Sequence, residues 1–231
     1  SPFAAWSSGG NMGTARAGLG SAGTQTAALG FGGAPGVTAV TEEYNGSAWT
    51  AGGNLTTARR YLAGAGTQTA GLAFGGFIPP SSNATEEYNG TAWTGGGNMN
   101  TAREELAAAG IQTAGLIFGG DVDPAASNAT EEYDGSSWTN GGSMGTAQKF
   151  LAGCGVQTAA VAFGGQQNQT KTEEYDGSSW TAGGNMGTGK YLLGAAGLQT
   201  AALAIGGRPD SAAAETEEYN GTAWSNQNNL N

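Results

Sequence analysis

Ten of the eighteen acidic residues of this 231-residue chain stand in five Glu-Glu pairs. These are Glu42-Glu43, Glu86-Glu87, Glu131-Glu132, Glu173-Glu174 and Glu217-Glu218, each followed by a tyrosine and, five residues later, a tryptophan. Paired carboxylates can do acid–base chemistry. Catalysis needs one asymmetric constellation, however, and five identical pairs make a poor active site. The chain has no histidine and a single cysteine, Cys154. That removes the usual zinc sites and His-activated nucleophiles, and it excludes an internal disulfide. Cys154 sits in a column otherwise filled by Ala22, Ala65, Ala109 and Ala196, so it reads as a small buried filler. No enzyme, metal site or cofactor is expected.

The elements that carry the pairs follow from their spacing. Tryptophans fall at 6, 49, 93, 138, 180 and 224, a period of 42 to 45 residues that lies in the range of propeller blades. Within one unit, an Ala/Gly-rich strand starts in residues 57–66 and the turn 67–69 leads to a second strand at 70–76. Thr85–Tyr88 make a third strand, Asn89-Gly90 a turn, and 91–94 a fourth strand. Asn-Gly or Asp-Gly between β-prone runs is a strong hairpin signal and predicts a two-residue type I′ turn in every unit. Four short antiparallel strands cannot bury both faces alone, so the units must stack in a ring. The expected fold is all-β: a five-bladed β-propeller with four antiparallel strands per blade, an open β-solenoid being the alternative. Its units run about 13–56, 57–100, 101–145, 146–187 and 188–231, with 1–12 an extra outer-strand copy.

The inside of the ring is legible as well. The innermost strands are built of Ala and Gly, which suits crowding at an axis. Leu29, Leu72, Leu116, Val161 and Leu203 alternate with Phe31, Phe74, Phe118, Phe163 and Ile205 in the second strands. They should pack between blades with the tyrosines and with Trp49, Trp93, Trp138, Trp180 and Trp224. Glu42, Glu86, Glu131, Glu173 and Glu217 share a face with those tyrosines, so they should be at least partly buried, and a buried carboxylate needs a partner. The column Arg16, Arg59, Arg103, Gln148, Lys190 supplies a donor in every unit, and a backbone donor is the other possibility.

Variation gathers on one face. All differences in unit length lie between the Gly pair and the Glu pair, in loops 34–40, 77–84, 121–129, 166–171 and 208–215. The same face receives the start of the first strand, where one column reads Ala17, Arg60, Glu104, Lys149, Tyr191 and the next Gly18, Tyr61, Glu105, Phe150, Leu192. Loops on a rigid scaffold are where recognition usually sits; drift in unconstrained loops is the alternative. The chemistry on offer is mixed. Phe77 and Ile78 read as exposed apolar residues, Asp121 and Asp123 as a solvated turn or a weak calcium signal. Gln166 and Gln167 offer amides, Arg208 and Asp210 opposite charges. Amides, acids and aromatic rings suit a glycan or a protein epitope. A net charge of −10 with eight basic residues argues against nucleic acid as a partner, and no apolar run is long enough to insert in a membrane. No basic-then-apolar signal stretch is present, so the first residues read as a mature start or as cut from a longer chain.

An Arg, a Gly pair, Glu-x-Tyr and a later Trp, repeated five times over about residues 14–230, resemble the kelch repeat. That resemblance implies a four-stranded propeller blade per unit. The copper-dependent oxidase line of that family needs His, Cys and Tyr ligands, and a chain without histidine cannot carry them. The Gly/Ala/Thr/Gln-rich, near-identical style is similar to repeats of bacteriophage tail and virion proteins and of environmental microbial surface proteins. It implies an extracellular or virion-surface location.

Two functions follow. One is a non-enzymatic recognition or adhesion propeller binding a glycan or surface protein through the variable face. The other is an assembly module of a fibre. It rests on Trp6, whose surroundings in residues 3–12 align with 221–230. One of these two copies should close the ring; the other is left to pair with a neighbour, because an unpaired strand is a template for association.

Overall fold

The computed structural model describes residues 5–208 and 214–230. They form a five-bladed β-propeller, each blade a four-stranded antiparallel sheet whose strands are neighbours in chain order. Blade one holds β1 (Gly20–Thr24), β2 (Ala27–Phe31), β3 (Thr41–Tyr44) and β4 (Trp49–Ala51). Blade two holds β5 (Ala63–Thr67), β6 (Ala70–Phe74), β7 (Thr85–Tyr88) and β8 (Trp93–Gly95). Blade three is β9 (Ala107–Ile111), β10 (Ala114–Phe118), β11 (Thr130–Tyr133) and β12 (Trp138–Asn140). Blade four is β13 (Ala152–Val156), β14 (Ala159–Phe163), β15 (Thr172–Tyr175) and β16 (Trp180–Ala182). Blade five is β17 (Gly194–Leu198), β18 (Ala201–Ile205), β19 (Thr216–Tyr219) and β20 (Trp224–Asn226). No helix among the described residues is long and apolar enough to cross a membrane.

Two local expectations are corrected. The inner strand starts six residues later than the sequence suggests, at Ala63 in blade two, because residues 57–62 cross from the previous blade. The outer hairpin is not a two-residue type I′ turn. Tyr88 pairs with Trp93, leaving a four-residue connection in which only the glycine is left-handed. The preceding Asn or Asp earns its place through its side chain: Asn89 Oδ1 accepts from the backbone N–H groups of Thr91 and Ala92, at 3.0 and 2.9 Å. In blade three the same bonds, with two serine hydroxyls added, hold the Asp134 carboxyl down at about 2.

The small inner strands of all five blades line one axial channel of about 580 Å³. Between blades the larger side chains form the core. Leu72, Phe74, Tyr133 and Trp138 are buried together, Phe74 meeting Trp138 edge-on at 5.5 Å. Each such phenylalanine lies in one blade and its tryptophan in the next, as Phe31 with Trp93, Phe118 with Trp180 and Phe163 with Trp224. The tryptophan N–H donates to the first threonine of the preceding blade's third strand, for example Trp93 Nε1 to Thr41 Oγ1 at 2.9 Å. Cys154 is a buried filler of this core, its thiol pushed up to about 12 by burial.

Candidate functional site

The first glutamate of each pair is buried. In blades one and two, Arg16 and Arg59 reach Glu42 and Glu86 at 2.9 Å, and in blade three Arg103 bonds Glu131. Each arginine also donates to at least two backbone carbonyls, so one guanidinium ties the Gly pair, the variable loop and the third strand together; for Arg59 these are Gly75 and Ala84. Lys190 lies 3.3 Å from Glu217 but its ammonium makes no hydrogen bond of good geometry. Gln148 does not reach Glu173. It turns to the loop, donating to Asn168 O and accepting from the N–H groups of Gln167 and Asn168. Glu173 is held instead by the backbone N–H groups of Gly145 and Thr146. All five first glutamates are therefore committed to the scaffold.

These anchors fix the rim where the chain varies. The column 17, 60, 104, 149, 191 meets the residue after the Gly pair: Arg60 exchanges backbone hydrogen bonds with Phe77, Glu104 with Asp121, Tyr191 with Arg208. In blade four, Gln166 N–H donates to Lys149 O, and Gln167 Oε1 accepts from Lys149 N–H. Two stretches far apart in sequence thus become adjacent strips of one surface.

The next column is the innermost. Gly18, Tyr61, Glu105, Phe150 and Leu192 have φ of 59, 55, 56, 56 and 55°, all left-handed. For a residue with a Cβ this costs about 1–2 kcal/mol. The conformation is held by a chain of backbone hydrogen bonds from blade to blade. Tyr61 N–H donates to Gly18 O, Glu105 to Tyr61, Phe150 to Glu105 and Leu192 to Phe150, at 2.7 to 3.0 Å. The five residues surround a hollow of about 330 Å³ over a floor that includes Leu19, Leu62, Leu106, Leu151 and Leu193.

Charge is arranged unevenly around this mouth. Burial, followed by the neighbouring Glu104, pushes the Glu105 carboxyl up to about 7, and its Oε2 is enclosed without a hydrogen-bond partner. Glu104 is also raised, chiefly by burial, and accepts from Ser81 Oγ at 3.3 Å. The Arg60 guanidinium stacks 5.2 Å from the Tyr61 ring and 5.1 Å from Phe77. Lys149 bonds Asp121 at 2.5 Å and lies 5.9 Å from the Phe150 ring, which in turn contacts Tyr191.

Several expectations shift here. Phe77 and Ile78 are half-buried, Phe77 under the arginine, and not the exposed apolar pair the sequence suggested. Asp121 is spoken for by Lys149 and by the Asp123 N–H. Among the described residues no group of three or more His, Cys, Asp or Glu side chains is placed to hold a metal ion. Arg208 is exposed at the rim; Asp210 lies outside the described residues. The chain matches no protein-family model, and no curated protein matches it.

Sequence reasoning missed the residues that stitch the opposite side of the ring. Gln68 lies in the turn between β5 and β6. Its side-chain amide crosses to the previous blade and donates to Ala28 O and Tyr44 O, at 3.1 and 2.7 Å. Gln112, Gln157 and Gln199 repeat this. A long amide side chain recurring at a turn position that small residues could fill was the available signal.

Proposed function

We propose that this chain is a non-enzymatic recognition propeller, kelch-like in its repeat and carried on a virion or cell surface, that binds a glycan or a surface protein at this mouth. One observation supports the reading above the others. Five positions are locked in the same left-handed backbone by interblade hydrogen bonds, yet they carry Gly, Tyr, Glu, Phe and Leu. Where backbone strain persists in side chains that do not need it, the surrounding structure is enforcing a display. Tyr61 and Phe150 flank Glu105, so two rings and a carboxyl group line one hollow. Rings stack on the apolar face of a sugar, and a carboxylate accepts from its hydroxyls.

A glycan array probed with the whole chain tests this. Binding should appear, and Tyr61→Ala or Phe150→Ala should weaken it about tenfold each. Thr26→Ala, on the opposite rim, should leave it unchanged. Equal binding by all three variants, or binding lost only in the Thr26 variant, removes the mouth as the site. An array without any hit, together with ordered polymers under the electron microscope, would favour the fibre module.

A further inference from the structure

Four of the five neighbouring blade pairs are joined in one way. A glutamine amide enters two carbonyls, a tyrosine hydroxyl reaches the second glutamate of the preceding blade, and a tryptophan N–H meets its threonine. Between blades four and five these are Gln199 to Ala160 O and Tyr175 O, Tyr219 to Glu174, and Trp224 to Thr172. Between blades five and one none of these bonds is made among the described residues. Blade one presents Gln25, Tyr44 and Trp49; blade five presents the carbonyls of Ala202 and Tyr219, Glu218 and Thr216. The two halves of the interface are both present and stand apart. The mouth chain of hydrogen bonds also stops there, since no bond joins Gly18 N–H to Leu192 O. The face of blade five is correspondingly open, with Leu198 57% exposed and a hollow of about 380 Å³ beside Ala202 and Tyr219, where a glutamine would enter.

The seam holds the two copies of the outer segment. The C-terminal copy has the edge of blade five: Tyr219 pairs with Trp224, Glu218 with Ser225 and Glu217 with Asn226. The N-terminal copy runs along blade one, and Trp6 Nε1 crosses to Thr216 Oγ1 at 3.2 Å. That threonine is the one the geometry of the other blades reserves for Trp49.

A difference between the copies decides which of them a closed ring can use. Every outer strand that leads into a following blade ends in Gly-Gly. A Cβ on Gly52 or Gly53 would lie 3.0 Å from Tyr88 OH or 2.1 Å from Thr91 O of the next blade, and the other pairs are as tight. Gly9 and Gly10 meet Tyr44 and Ser47 in this same way, at 2.9 and 2.3 Å. The C-terminal copy has Gln227-Asn228 at the matching place. Those side chains cannot fit where blade one packs, so the C-terminal copy can hold blade five only while the seam stays open.

We propose that residues 5–12 and 221–230 compete for the outer edge of β19, and that the seam closes when the N-terminal copy displaces β20. In the closed form Trp6 faces Tyr219 and Ser7 faces Glu218. Trp49 then takes Thr216, and the amide of Gln25 enters blade five.

Cysteine pairs in the full chain, with Cys154→Ala as background, read the exchange. S225C/E218C traps the observed pairing and S7C/E218C the exchanged one, since residues opposite each other in a sheet lie within disulfide reach. Both are expected to oxidise within one chain. Adding Trp224→Ser should raise the S7C/E218C yield, and adding Trp6→Ser should lower it about tenfold, the worth of one aromatic contact. In oxidised S7C/E218C, chymotrypsin should cut at Trp224, because the C-terminal copy is released. The proposal is overturned if S7C/E218C stays reduced while S225C/E218C oxidises, if it links only two separate chains, or if Trp224 stays protected after crosslinking.

Discussion

The hydroxyl of Tyr88 donates to the carboxylate of Glu43 in the preceding blade at 2.5 Å. Tyr133 with Glu87, Tyr175 with Glu132 and Tyr219 with Glu174 repeat the bond. It gives the second glutamate of each of those pairs a task separate from that of the first. One carboxylate braces its own blade; the other clasps the next.

This clasp makes stability sensitive to alkali. Burial first, and the glutamate second, push Tyr88, Tyr133, Tyr175 and Tyr219 from 10.0 up to about 12. A phenol whose pKa is higher in the folded chain favours folding below pH 10. That advantage is lost as pH rises from about 10 to 12, because the unfolded chain ionises first. The melting temperature should therefore fall across that window, and replacing the four tyrosines by phenylalanine should flatten the fall while lowering stability at neutral pH.

Glu86→Gln should cost about 3–5 kcal/mol, because it leaves the Arg59 guanidinium buried without a counter-charge. Lys190→Arg should act in the opposite direction and raise stability by about 1 kcal/mol. The ammonium there is fully buried without a good hydrogen bond, whereas the guanidinium of Arg103 reaches two carbonyls as well as the glutamate. Urea denaturation of each variant measures both effects.

Two glycines two positions apart should respond very differently to alanine. A Cβ on Gly97 would lie 2.0 Å from Ser136 O in the next blade, while one on Gly95 meets nothing within 4 Å. Gly97→Ala should lose about 1–3 kcal/mol by overpacking. Gly95→Ala should stay within about 0.5 kcal/mol of the parent. Thermal melts of the pair check this.

Gln112→Ala should cost about 1–3 kcal/mol, since it strips a donor from Gly71 O and Tyr88 O at once. Hydrogen exchange should speed up at the boundary of blades two and three more than elsewhere. Uniform protection after the change would mean that the amide is not the fastener.

At the mouth, Leu192→Gly should leave stability unchanged or higher by up to about 1 kcal/mol. Relief of the left-handed strain at this half-exposed leucine roughly offsets glycine's greater freedom in the unfolded chain. A clear loss on urea denaturation would show that the leucine side chain, and not the backbone, holds the ring.

Much of this architecture is legible from spacing alone. The tryptophan period set the number of blades, the constant step from Tyr88 to Trp93 placed the third and fourth strands, and the unequal loops located the rim. The hairpin form was not legible, because Asn89 works through its side-chain oxygen and not through a left-handed backbone of its own. For Glu173 the second of the two possible partners, a backbone donor, is the one found: Gln148 has the reach of a donor, but the loop carbonyl of Asn168 and two loop N–H groups compete for it. The open seam was hidden for a different reason. Tyr44 and Glu218 carry the same letters as every other clasp, and only their placement shows that they do not meet.

The left-handed column at the mouth has a consequence for how such a protein can change. Its geometry is written in main-chain bonds, so the backbone of the column does not depend on which letter stands there; Gly18 alone is tied to a neighbour, since a Cβ on it would lie 2.6 Å from the Tyr61 ring. Whole units exchanged by recombination would bring their letter with them. Shuffling blades would then bring new sets of side chains to the mouth, with folding left out of the negotiation.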